Sequence, residues 1–175
     1  MNRSEWIAVG SVLGLAALFA GMHRTAVAAG DVLSKERIRQ MAAQVIARHG
    51  FDTTADVVAN IAMIESSGNP AALRYEQFIP HLGRADYSTG LMQVLTSTAE
   101  WLARDMGYRF YGVNPTRDAM LDPWVSLYYG AAYLDYLARY PGGPHPIEWI
   151  VQSYNAGPGN SQSNYLRKYR AEATR

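Results

Sequence analysis

Cysteine is absent from the 175-residue chain, which excludes a disulfide framework, a thiol nucleophile and any cysteine-ligated zinc site. Histidines are few: His23, His49, His81 and His145 never fall at the i, i+4 spacing that sets two imidazoles on one helical face. Neither a structural metal nor a cofactor is expected. An excess of one charge is also missing. The formal net charge is +1, and Lys and Arg are scattered among Asp and Glu rather than gathered into a run, which argues against nucleic acid as a partner. No period-two alternation is long enough to predict a sheet, and there is no internal repeat. What remains is 49% hydrophobic and 18% charged, the composition of a single globular domain.

The N-terminus has the form of a targeting segment. Arg3 precedes an apolar run from Trp6 to Met22, and Ala26-Val27-Ala28 matches the small-x-small pattern cut by signal peptidase. The run exceeds the usual ~7–15-residue signal core. As a helix it would reach only ~26 Å at 1.5 Å per residue, slightly short of a ~30 Å hydrocarbon layer. Residues 1–29 are therefore expected to be a signal peptide or an N-terminal membrane anchor with membrane contact through residues 6–22, followed by one domain over residues 30–175. Either form implies export, to the periplasm or cell envelope, with the anchored form held in the inner membrane.

Beyond Asp31 the pattern is helical. Ile38, Met41, Ala42, Val45 and Ile46 recur at helical spacing, and His49-Gly50 ends that run. A second helix begins with Thr53 or Thr54 as N-cap, continues through Val57, Val58, Ile61, Ala62 and Ile64, and ends by Gly68 and Pro70. Ser97-Thr98-Ala99-Glu100 has the form of a capping box before Leu102, Ala103 and Met106. Asp122-Pro123 reads as N-cap and first residue of an aromatic-rich helix, and Pro146 opens another through Ile147, Ile150, Val151 and Tyr154.

Glu65 falls in the last turn of the second helix, after an apolar run and before Ser-Ser-Gly-Asn-Pro. A carboxylate at a helix C-terminus among apolar side chains is disfavoured in its charged form by the dipole and by desolvation, so its pKa should rise. An acid protonated near neutrality is what a general acid requires. On this segment alone, a solvated or Arg-paired Glu remains the commoner outcome.

Four ordered blocks add to that picture: "IESSGNPAAL" from Ile64, "STGLMQVLTSTAEWL" from Ser88, "LDPWVSLYYGAAYLDYL" from Leu121 and "YNAGPGN" from Tyr154. Together they resemble the soluble-type lytic transglycosylases, a lysozyme-like family that cleaves the glycan strands of peptidoglycan. The resemblance runs from about residue 35 to residue 170. It implies a mostly helical, lysozyme-like domain with helices around a glycan-binding cleft, Glu65 as the single catalytic acid/base, and peptidoglycan strands as partner. It also implies that Ser66 and Gln93 help build the cleft floor and that Tyr154 and Asn155 line the site.

The residues themselves leave structural roles open. Ser66 is equally suited to a polar helix terminus, Met92 to the core, Tyr154 to packing with a hydroxyl that needs a partner, and Asn155 to a helix cap. Gln93 offers two donors and an acceptor, either to sugar N-acetyl groups or to backbone. The sequence departs from the family pattern in two places. Residues 70–88 are longer than usual, with Tyr75 and Phe78 expected to form a flap that stacks on sugars and Glu76 read first as a solvated loop acid. Val94-Leu95-Thr96 stands where relatives carry a Met and a Pro.

The implied reaction cuts between N-acetylmuramic acid and N-acetylglucosamine without water, leaving 1,6-anhydromuramoyl ends. The alternatives are a hydrolytic muramidase of the same fold, with Glu76 or Asp86 positioning water, and a non-catalytic wall-binding assembly protein.

Overall fold

A computed structural model describes residues 31–79 and 82–175; the expected signal or anchor segment over residues 1–29 lies outside them. The described chain is mostly helical. Helix α1 (Lys35–His49) is capped by Ser34, whose side chain accepts from the Arg37 N–H, and is stopped by Gly50 in the left-handed region at φ 67°. Helix α2 (Ala55–Ser66) is capped by Thr54. Both caps satisfy backbone donors that a first turn leaves without an intrahelical partner.

Strands β1 (Leu73–Ile79), β2 (Arg84–Thr89) and β3 (Val94–Leu95) then form an antiparallel sheet in the order β1-β2-β3. This small sheet, which no period-two alternation predicted, sits within the mostly helical fold expected. Its first hairpin places Leu73 opposite Thr89, Tyr75 opposite Tyr87 and Glu76 opposite Asp86, with the register shifting between Glu76 and Ile79. That irregularity interrupts the alternation. The hairpin's large apolar side chains Leu73, Tyr75 and Phe78 are exposed, the reverse of the usual buried stripe.

Helix α3 (Thr96–Arg104) follows directly. The predicted capping box does not form: the N-cap is Leu95, without a side-chain cap bond, and Ser97 already lies inside the first turn. Its N–H is instead taken by Asp86 of β2, whose Oδ2 also accepts from the Ser97 hydroxyl at 2.6 Å. A tertiary contact has replaced the local cap.

Helix α4 (Pro123–Ala138) is the centre of the domain. Asp122 caps it by accepting from the Trp124 and Val125 N–H groups, as the Asp-Pro pair predicts. Its residues are buried on nearly every side, Leu127, Tyr129, Leu134 and Leu137 completely, because α1, α2, α3 and α5 (Ile147–Ala156) all pack on it. Each such side chain contributes roughly 1.5–3 kcal/mol by leaving water. Helix α6 (Ser163–Ala173) closes the domain against α2 and α5.

Two glycines bring the sequence blocks together. Gly90 has φ 74°, and a Cβ there would collide with the Met120 carbonyl oxygen and the Ser126 side chain. Gly130 on α4 leaves the slot that Met92 fills, so Met92 is fully buried core. The Met92 N–H donates to Ser126 Oγ at 3.1 Å, tying the Gly90-Leu91-Met92-Gln93 turn to the central helix.

In the C-terminal part of α4, Asp135 is only 2% exposed. It accepts from the Asp52 N–H at 2.6 Å, the Tyr108 hydroxyl at 2.7 Å and Arg139 Nη2 at 2.7 Å, joining three segments through one carboxylate. Among the described residues no group of acids and histidines could hold a metal, and no helix is long and apolar enough to cross a membrane.

Candidate active site

A cleft of about 810 Å³ opens between the hairpin and the ends of α2, α3, α4 and α5. Glu65 stands in one wall, Arg74, Glu76 and Ser88 of the hairpin in another, and Gln93, Tyr154 and Asn155 also line it. The rings of Trp101, Tyr133 and Tyr136 form an aromatic side. Tyr133 and Tyr136, one helical turn apart, have nearly parallel rings with centroids 6.2 Å apart, and Trp101 meets Tyr136 edge-on at 4.8 Å.

Glu65 is held by the last turn of α2, where Ser67 adopts φ 54° and returns its N–H to the Met63 carbonyl. The side chain is partly buried, and loss of water raises its pKa above the ordinary carboxylate value. A hydrogen bond from Tyr165 and the positive charges of Arg74 and Lys168 oppose that rise without cancelling it. The Tyr165 hydroxyl donates to Glu65 Oε1 at 2.6 Å. Burial and the neighbouring carboxylate raise the Tyr165 pKa far beyond its ordinary value, so it remains a donor. Oε2 of Glu65 receives no hydrogen bond from the described residues.

The other expected residues divide. Tyr154 is both packed and partnered: it is 9% exposed, and its hydroxyl donates to the Met92 carbonyl at 2.9 Å. Asn155 is exposed on the cleft, with no side-chain hydrogen bond among the described residues. Gln93 adopts φ 47°, and its Nε2 donates to the carbonyls of Ala72 and Gly90 at 3.0 and 2.9 Å. Its donors therefore brace the cleft floor, and only its amide oxygen is left for a ligand. Ser66 does not line the cleft; its hydroxyl donates to the Ala62 carbonyl one turn earlier at 2.9 Å.

The hairpin requires two corrections. Glu76 is not a solvated loop acid: its side chain is 26% exposed, and Oε1 accepts from Arg74 Nε and from the Ser88 hydroxyl at 2.9 Å. Tyr75 and Phe78 do not line the cleft. Alternation along β1 sends Arg74 and Glu76 to the cleft face and Tyr75 to the opposite face, where it packs on Tyr87 at 5.2 Å. The ring of Tyr87 in turn lies beneath the guanidinium of Arg117.

Tyr165, Arg74, Trp101, Tyr133 and Tyr136 were missed by reading the sequence. Tyr165 lies 100 residues beyond Glu65, on a helix whose Tyr165, Leu166 and Tyr169 read as an ordinary apolar stripe. The three rings on α3 and α4 are likewise indistinguishable from core until the cleft opens beside them.

A model of the Transglycosylase SLT domain family matches residues 46–175, well over half of the sequence, and the chain belongs to that family. Its fold is shared by solved structures that include the following two. A 70-kDa soluble lytic transglycosylase in complex with bulgecin A is 21% identical over 77% of this chain and 18% of its own, with a TM-score of 0.52. The 70-kDa soluble lytic transglycosylase of Escherichia coli is 23% identical over 80% of this chain and 20% of its own, also with a TM-score of 0.52. This chain thus spans about a fifth of the length of either structure. The mostly helical, lysozyme-like fold read from the four blocks is the fold observed. No curated protein sequence matches the chain.

Proposed function

We propose that the chain is a peptidoglycan lytic transglycosylase in which Glu65 makes both proton transfers. The observation that carries this reading is the unequal treatment of the acids around the cleft. Glu65 is desolvated, has a raised pKa and keeps one oxygen unengaged. Glu76 is committed to Arg74 and Ser88, and Asp86 to the first turn of α3 and the Tyr87 N–H. A committed carboxylate is poorly suited to activating water, whereas an unengaged protonated one can donate.

In the proposed sequence, protonated Glu65 gives its proton to the glycosidic oxygen as the bond to the muramoyl anomeric carbon breaks. The substrate's own N-acetyl carbonyl stabilises the positive carbon, as in substrate-assisted glycosidases. Glu65, now a carboxylate, removes the proton from the C6 hydroxyl, whose oxygen closes the anhydro ring. Glu65 ends as it began, and water is not consumed. An oriented internal hydroxyl acts at an effective molarity of ~10⁵ M or more, far above the ~55 M of bulk water.

Digestion of purified peptidoglycan in ¹⁸O-water, read by mass spectrometry, tests the reading. Unlabelled muramoyl ends one water lighter than hydrolysis products are expected. Labelled reducing ends as the main product would make this a hydrolytic muramidase, the second reading, which Glu76 favours by lining the same cleft. Binding of wall without clearing would leave an assembly protein.

Residues 1–29 are inferred to direct export to the periplasm or cell envelope. The matching of their apolar run to a signal peptide or anchor supports this, and sizing of the mature chain from membrane and soluble fractions separates the two forms.

A further inference from the structure

The hairpin carries one cleft group that the proton-transfer scheme leaves without a task. Arg74 is 64% exposed at its side chain and lines the cleft, and its Nε is engaged by Glu76 Oε1, which the Ser88 hydroxyl steadies from the neighbouring strand. The two Nη groups meet no acceptor among the described residues. An exposed ion pair contributes little to folding, so the pair is a weak device for stability. It is a good device for orientation. With Nε fixed, the planar guanidinium presents its outer edge, whose paired N–H groups match a carboxylate bidentately. Arg74 and Glu65 line the same cleft, and the positive charge of Arg74 acts on Glu65.

Taking the peptidoglycan reading as its basis, we propose that Arg74, oriented by Glu76 and Ser88, binds a carboxylate carried on the 3-O-lactyl arm of a muramoyl residue. The cleft then selects acidic muroglycan over neutral chitin-like strands. Two sources present this chemistry: the lactyl carboxylate itself, in strands stripped of peptide, and the carboxylates of an attached stem. The lengthened 70–88 segment is thereby a specificity wall. Its cleft face reads charge, and its opposite face, with Tyr75 on Tyr87, holds the strands in register.

The full chain carrying Glu65→Gln binds without turnover and allows titration calorimetry against four probes. These are stripped strands with free lactyl carboxylates, the same strands with those carboxylates converted to neutral methylamides, stem-bearing strands, and chitin oligosaccharide. At least one acidic probe should bind about tenfold tighter than the methylamide, the scale of one charge-assisted contact. Which of the two does so identifies the source. Adding Arg74→Gln should erase the difference while leaving methylamide binding within about twofold, and Arg74→Lys, which keeps charge but loses the fork, should restore only part of it. Equal binding of acidic and neutral strands, or a preference that survives Arg74→Gln, would overturn the inference while sparing the function. Failure of all four probes to bind would overturn both.

Discussion

Asp135 and Glu65 are both withdrawn from water in this domain, and they are treated in opposite ways. Asp135, in the C-terminal part of α4, receives three hydrogen bonds from Asp52, Tyr108 and Arg139 and is nearly inaccessible. Glu65, at the end of α2, receives one, from Tyr165, and faces a cleft. The first is a joint, its two oxygens occupied by donors from three residues. The second is a reagent: it has lost solvent without full compensation, and its pKa is raised accordingly. The two residues differ in access to the cleft and in the number of donors they receive.

The largest effect that could break this contrast is on catalysis. Glu65→Gln keeps shape but removes the transferable proton, so wall clearing should fall at least ~100-fold. Its stability should move the other way. Because the folded pKa lies above the unfolded value, Glu65 favours the fold most at pH below the unfolded pKa, and that contribution is lost as pH rises through the folded pKa. The Gln variant should therefore melt at or above the parent at pH 7, with the gap closing toward pH 4. A variant that is well folded yet clears wall normally removes Glu65 from the mechanism.

Asp135→Asn probes the other carboxylate and should reverse the pattern. Losing the charge beneath Arg139 and weakening the bonds to Asp52 and Tyr108 should cost about 2 kcal/mol, lowering Tm by roughly 5 °C for a domain of this size. Activity per folded molecule should be unchanged. A catalytic loss with normal melting would mean that Asp135, which does not line the cleft, communicates with it through the neighbouring Tyr133 and Tyr136.

The helical frame was legible because its signals are local. Thr54, Asp122-Pro123 and Gly50 act within a few residues of the turns they cap or end. The hairpin was illegible for the complementary reason. Its apolar side chains are exposed, its register slips between Glu76 and Ile79, and what holds it is partly remote, through Asp86 on Ser97. At the site, the end of an apolar helix gave Glu65 a reason for a raised pKa but left a solvated acid the commoner outcome, and it was the four ordered blocks that singled it out. Its partner was not legible, because Tyr165 enters from α6 through tertiary packing alone.

Tyr165→Phe sharpens the comparison by taking away the one donor Glu65 has. That hydrogen bond favours the charged carboxylate, so its loss should raise the Glu65 pKa further. The alkaline limb of kcat/KM should move to higher pH, because Glu65 must start protonated. The maximum should fall about tenfold as the carboxylate loses its fixed orientation. A limb that stays in place in the pH–rate profile would show that Tyr165 does not act on the titrating group.

Ser66→Ala carries the smallest expected effect and tests the boundary between the two kinds of residue. Ser66 adjoins Glu65 in sequence, and the family resemblance sets it on the cleft floor, yet α2 turns by about 100° per residue, so neighbours on a helix face different ways. Its hydroxyl donates to Ala62 within the same helix, a bond that leaves helix stability nearly neutral because the carbonyl keeps its helical role. Gln93 offers the counterexample, since its side chain bonds the Ala72 carbonyl across the fold as well as the nearby Gly90 carbonyl, bracing a backbone at φ 47°. Ser66→Ala should therefore change melting by less than ~0.5 kcal/mol and clearing by less than about twofold. A tenfold loss of kcat with unaltered melting would show that the Ser66 hydroxyl leaves its helix and reaches the sugar when the cleft is filled.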